Sequence, residues 1–112
     1  MINKKKIKEF DENGFVIIKN LLKKKDINNI FFQLDEVLTT ILEYKKIKYN
    51  KNTSVDNKYL LLQKYEPVLK SHFYNSISIL DSLNSIVFSK DILMTVKKLL
   101  NRKTIFVRGQ RL

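Results

Sequence analysis

The segment Lys24-Lys25-Asp26-Ile27-Asn28-Asn29-Ile30-Phe31-Phe32-Gln33-Leu34-Asp35-Glu36-Val37-Leu38-Thr39-Thr40-Ile41-Leu42-Glu43-Tyr44-Lys45-Lys46 carries the clearest periodicity in the chain. Ile27, Ile30, Phe31, Leu34, Val37, Leu38, Ile41 and Leu42 recur at i, i+3, i+4 and i+7. That spacing is the apolar stripe of an amphipathic helix. Gln33, Asp35, Glu36 and Glu43 occupy its polar face. Lys23, Lys24 and Lys25 stand where the helix dipole favours negative charge, and Asp26 offsets them only in part. The helix is therefore expected to be held by packing rather than by its ends.

Upstream, residues 4–12 form a short helical stretch with Ile7 and Phe10 on one face, ended by Asn13-Gly14, both of which tolerate left-handed backbone. Phe15-Val16-Ile17-Ile18-Lys19 is a continuous β-branched and aromatic run, which predicts a strand covered on both faces. Downstream, residues 45–57 are rich in Lys and Asn and read as a loop. Residues 59–65 read as a short helix ended by Pro67, because the residue before proline avoids the α region. Val68, Leu69, Phe73, Ile77 and Leu80 mark another helix, and residues 82–88 a further short segment. Ser89 is a good N-cap for the next helix, with Asp91 in its first turn, Lys97 and Lys98 in its last, and Ile92, Leu93, Val96, Leu99 and Leu100 as its buried face. Thr104-Ile105-Phe106-Val107 reads as a second strand running on through Arg108-Gly109-Gln110-Arg111-Leu112. Two strands so far apart make a marginal sheet with an unpaired edge. The chain is thus expected to be a single incomplete domain over residues 1–112, of α+β class but mostly helical.

Composition narrows the function classes. At 112 residues, 44% hydrophobic and 29% charged, the chain has the make-up of one globular domain. It has no Cys, which removes disulfide frameworks, thiolate metal sites and cysteine nucleophiles. Its net charge of +11 suggests a polyanion partner, but 19 of the 22 basic residues are Lys and three are Arg. Arg is the better reader of phosphates and bases. With 13 Ile, 11 Asn and no Ala besides, the charge is the expected product of an A/T-rich coding sequence, and nucleic acid is the weaker reading. The longest uncharged stretches, such as residues 71–80, are about half of what a spanning helix needs. No apolar run follows the basic start to make a secretory signal, and Glu9, Asp11 and Glu12 argue against a transit peptide. The expectation is a cytoplasmic protein without a membrane partner.

The order Phe10-x-x-x-Gly14-Phe15-Val16-Ile17-Ile18, then Asn20-Leu21-Leu22 and a long amphipathic helix, resembles the N-terminal region of the phytanoyl-CoA dioxygenase family. Leu93 to Asn101 and the strand after it are similar to that family's later helix and first barrel strand. One departure is Lys23, where the family tends to cap the long helix with Ser or Thr. The resemblance implies the helical part and first strands of a double-stranded β-helix (jelly-roll) fold, apparently truncated. It implies that the complete protein is a non-haem iron(II), 2-oxoglutarate-dependent oxygenase that hydroxylates a small organic substrate. It further implies, as partner, the missing C-terminal barrel portion or a partner strand. The family's iron ligands, His-x-Asp and a distal His, have no counterpart: His72 is the single histidine and is followed by Phe73-Tyr74. No catalytic, cofactor or metal residue is carried over, no cofactor is expected to bind this chain, and the chain alone is expected to be inactive.

The remaining candidates have bland counterparts. A lone histidine such as His72 is usually a packing or surface residue. Arg108 and Gln110 share a strand face with Phe106, while Arg111 points the other way. In a barrel an inward Arg or Gln would line a co-substrate pocket; on a terminal strand all three would simply be solvated. Tyr44-Lys45-Lys46-Ile47-Lys48-Tyr49 mixes charge with stacking surface as single-strand binders do, but it also fits a frayed helix end. With only Gly14 and Gly109, no loop is equipped to wrap a phosphate. Two alternatives stay open beside the oxygenase: a small basic RNA- or polyanion-binding module, and a protein-interaction module.

Overall fold

Half of the long stripe, Ile30, Leu34, Leu38 and Leu42, is buried, and the rest of the fold is arranged around it. The computed structural model describes residues 2–107, and among them six α-helices follow one another. These are α1 (Lys4–Asn13), α2 (Lys24–Tyr44), α3 (Val55–Tyr65), α4 (Pro67–Ser76), α5 (Asp81–Val87) and α6 (Lys90–Leu99). A 3-10 turn over Ile77–Ile79 joins α4 to α5. The described chain is therefore mostly helical.

Ile30, Leu34, Leu38 and Leu42 of α2 are buried, and α3 and α5 pack against that helix. Leu38, Leu42 and Leu62 are sealed from solvent and form the centre of a core completed by Phe73, Ile77, Leu83 and Ile86. Each such side chain contributes about 1.5–3 kcal/mol relative to exposure. Two polar ties fix α2 against its neighbours. Lys58 of α3 donates to Asp35 Oδ1 at 2.7 Å and Thr39 Oγ1 at 2.9 Å. Ser82 of α5 donates its hydroxyl to Gln33 Oε1 at 2.6 Å.

The helix ends follow local chemistry. Gly14 adopts φ 75° and its N–H bonds the Phe10 carbonyl, closing α1 where the Asn-Gly pair predicts. Ser89 Oγ accepts from the Ile92 N–H and starts α6 as predicted. Pro67 begins α4 instead of merely ending α3, its missing N–H being harmless in a first turn. Lys23 precedes α2 and makes no side-chain cap.

Several expectations need correction. The 45–57 loop is shorter than predicted, because Ser54 accepts from the Asn57 N–H and nucleates α3 from Val55. The predicted buried stripes are only partly covered. Phe31 is 51% exposed, and on α6 the buried residue is Thr95 while Leu100 is 49% exposed. The cause is packing: among the described helices, α6 meets only α5 and α1.

Neither strand expected from the sequence is paired among the described residues. Residues 15–18 and 104–107 are neither helical nor hydrogen-bonded into a sheet. The first run is not covered on both faces: Phe15 and Ile17 are exposed, while Val16 and Ile18 are half-buried. The same alternation recurs with Ile105 and Val107 half-buried and Phe106 90% exposed.

Candidate functional site

The most distinctive surface is built around α6. Its amphipathic sequence would ordinarily lay one flank on a core, yet both flanks border open hollows. On one flank Met94, Thr95 and Lys98 face Ile18 and Leu21 across a hollow of about 470 Å³. On the other, Ile92, Leu93 and Val96 face Ile105, Phe106 and Val107 across a hollow of about 440 Å³. The helix thus lies between two alternating apolar segments from opposite ends of the chain. The turn into the second segment is set by Asn101, which takes φ 49° while the Arg102 N–H reaches back to the Lys97 carbonyl at 2.9 Å. This is the Schellman closure that Asn can supply in place of Gly.

A second grouping, on α2, α3 and the loop between them, escapes a reading of the sequence. Lys58 is 4% exposed, paired with Asp35 and Thr39, and its ammonium lies 5.3 Å from the Tyr49 ring centroid. Tyr49 in turn donates its hydroxyl to Glu43 Oε1 at 2.8 Å, and that bond pushes the phenol pKa above the usual 10.0. The cause is direct, since a carboxylate acceptor favours the protonated phenol. With its ammonium bonded to two oxygens of α2, Lys58 ties α3 to that helix. The signal available in the sequence was slight: one lysine among 19, paired with a carboxylate on another helix.

His72 lies exposed on α4, away from any second ligand of its kind. Among the described residues no group of three His, Asp or Glu side chains could hold a metal ion. The donor set among the described residues does not fit iron(II). Arg108, Gln110 and Arg111 lie outside the described residues. The Tyr44–Tyr49 stretch is not gathered into one stacking surface: Tyr44 is 82% exposed, Tyr49 is engaged by Glu43, and Lys45 pairs with Glu66 at 3.8 Å. Among the described residues, no helix is long and apolar enough to cross a membrane. Comparison with family models, curated proteins and solved structures returns no match to this chain.

Proposed function

We propose that this chain is the helical N-terminal portion of an oxygenase resembling the phytanoyl-CoA dioxygenase family, in which the sheet of a double-stranded β-helix covers α6. The complete protein would hydroxylate a small organic substrate with iron(II), O₂ and 2-oxoglutarate. One observation carries the reading. Residues 15–18 and 104–107 flank the same helix, each burying alternate side chains and presenting the others outward. Period-two burial beside an amphipathic helix is what the edge of a half-built sheet looks like. The Gly14-Phe15-Val16-Ile17-Ile18 segment and the run after Asn101 are among the segments on which the sequence resemblance rests, together with Asn20-Leu21-Leu22, the long helix and Leu93 to Asn101.

In this reading the chain supplies scaffold, and the iron-binding and co-substrate residues come from the barrel. The test begins with the coding DNA downstream of Leu112, where an in-frame or frameshifted His-x-Asp, then a later His and Arg, is expected. The complete product should decarboxylate 2-oxoglutarate in an iron-dependent way, and the 112-residue chain should not. Downstream DNA without those codons, or turnover by the short chain alone, overturns the reading. The polyanion alternative draws less support, since Tyr49 is held by Glu43 and is not presented for stacking.

A further inference from the structure

The α2/α3/α4 groove encloses about 530 Å³ beside Phe31, Tyr59 and Phe73, carries Asp56 as its one charge, and shows no preference for one occupant. The hollow between α6 and residues 18–21 differs, because its lining specifies both a charge and an apolar wall. Lys90, Met94 and Lys98 follow one another at i, i+4 and i+8, so they share one face of α6. Lys19 lines the hollow from the opposite segment, where Asn20 holds left-handed backbone at φ 58° and turns the chain between Lys19 and Leu21. Three lysines against the single Asp91 leave the lining a formal charge of +2. None of the three belongs to the four ion pairs found among the described residues. Ile2, Ile18, Leu21 and Met94 supply the apolar wall.

Thr95 adds an independent sign. It lines the same hollow and is 7% exposed. Thr40 on α2 satisfies its hydroxyl on the Glu36 carbonyl at 2.8 Å, a common recourse of a helical threonine. The Thr95 hydroxyl makes neither that bond nor any other hydrogen bond among the described residues. No fully enclosed side-chain oxygen among them lacks a partner, so the Thr95 hydroxyl opens on the hollow. A hydroxyl so nearly buried is costly to leave unpaired. An acceptor seated over Met94 and Thr95 would satisfy it and lie between Lys90 and Lys98. Lysines act on phosphate as point charges, and a phosphomonoester carries about −1.5 to −2 near pH 7, which matches the lining. The apolar wall calls for an organic body on that phosphate, and about 470 Å³ lies within the range of small-molecule sites. No aromatic side chain among the described residues lines the hollow, so it offers no platform on which bases could stack.

We propose that the hollow between α6 and residues 18–21 binds a soluble phosphate monoester with a small aliphatic body. Its phosphate accepts from the Thr95 hydroxyl and pairs with Lys90 and Lys98, and its aliphatic part lies against Ile18 and Leu21. This goes beyond the oxygenase reading and does not rest on it, since every group belongs to this chain and binding is read without turnover. The probe is n-hexyl phosphate, titrated into the 112-residue chain and followed by the NMR signals of Met94 and Thr95. It should shift those signals, weaken as salt rises, and bind at least about tenfold more tightly than inorganic phosphate or hexanol. Thr95→Val keeps the shape of the side chain without its hydroxyl and should weaken binding about tenfold. Lys90→Gln with Lys98→Gln should weaken it at least as much. Lys24→Gln with Lys25→Gln removes equal charge away from the hollow and should change affinity less than about twofold. Circular dichroism checks that each variant keeps its helicity. Equal affinity for hexyl and inorganic phosphate, indifference to Thr95→Val, or equal effects of the two lysine pairs overturns the proposal. So does binding to phosphatidic acid vesicles alone, or displacement of the ester by a tighter-binding oligouridylate, since each assigns the surface to another occupant.

Discussion

Lys58 shows how much one side chain can depend on a partner far away in sequence. Its ammonium is 5% exposed, while the Asp35 carboxylate it meets is 44% exposed. Removing the acid and removing the base are therefore unequal perturbations. Asp35→Ala leaves a buried cation with only the Thr39 hydroxyl and the Tyr49 ring and should cost about 1–3 kcal/mol, toward the lower end because solvent reaches the pair. Lys58→Met keeps the apolar stem and leaves Asp35 to water, so it should cost less. Urea unfolding of the two variants decides this: if Lys58→Met is the more damaging, the ion pair is not what holds the lysine. Tyr49 offers a pH-dependent test of the same cluster. Its folded pKa lies above 10.0 because Glu43 accepts a hydrogen bond from its hydroxyl, so the folded state binds that proton more tightly than the unfolded state. The contribution is fully present below pH 10 and is lost as pH rises through the raised value. Absorbance titration of tyrosinate should show Tyr49 ionising later than an ordinary phenol, and Glu43→Gln should bring it back. An unchanged titration in Glu43→Gln would leave the carboxylate without that role.

Helix termini separate what was legible in the sequence from what was not. Gly14 and Ser89 were readable because one residue does the work locally: left-handed backbone at Gly14, a hydroxyl cap at Ser89. Ser54 is chemically the same signal, yet it sits inside a Lys- and Asn-rich run whose polarity masks the start of α3. Burial was harder to foresee than helicity. Periodicity tells which residues share a face, whereas Ile27, Phe31 and the α6 stripe show that a shared face need not be covered. The Lys58 cluster and the α2/α3/α4 groove were invisible for a related reason, since each exists only once separate helices have packed. At the element scale Lys23 gives a clean prediction. It occupies the position before α2 with no side-chain cap and places a cation at the positive end of a helix running Lys24–Tyr44. Lys23→Ser supplies an acceptor for an orphan N–H and removes an unfavourable charge, so it should stabilise the protein by about 1 kcal/mol. A rise in the urea midpoint at constant slope is expected; no rise would mean that the first turn of α2 is fixed by tertiary packing alone.

The whole molecule is larger than its length requires. Its radius of gyration is 17.6 Å and its extents are 53 × 25 × 24 Å, against about 13 Å expected for a compact domain of this many residues. Its accessible surface is 9025 Å², against roughly 6,500 Å² for a compact chain of the same mass. The excess is comparable with the total area buried in a substantial protein interface. It has an evident source in the open flanks of α6 and the groove beside α2, where Phe15, Ile17, Phe31 and Phe106 stand exposed. Such an architecture should show in unfolding cooperativity. The urea slope scales with the surface newly exposed, and this chain buries roughly a fifth less than a closed domain of equal length would. Its slope should fall short by a similar fraction, and small-angle scattering should report a particle nearer 18 Å than 13 Å in radius of gyration. In the proposed oxygenase reading, supplying a sheet that covers α6 should then raise the slope by more than the added residues account for, because it would also bury surface exposed here. A chain of 112 residues that unfolds with the full slope of a closed domain and scatters as a compact sphere would show that its helices need no covering sheet.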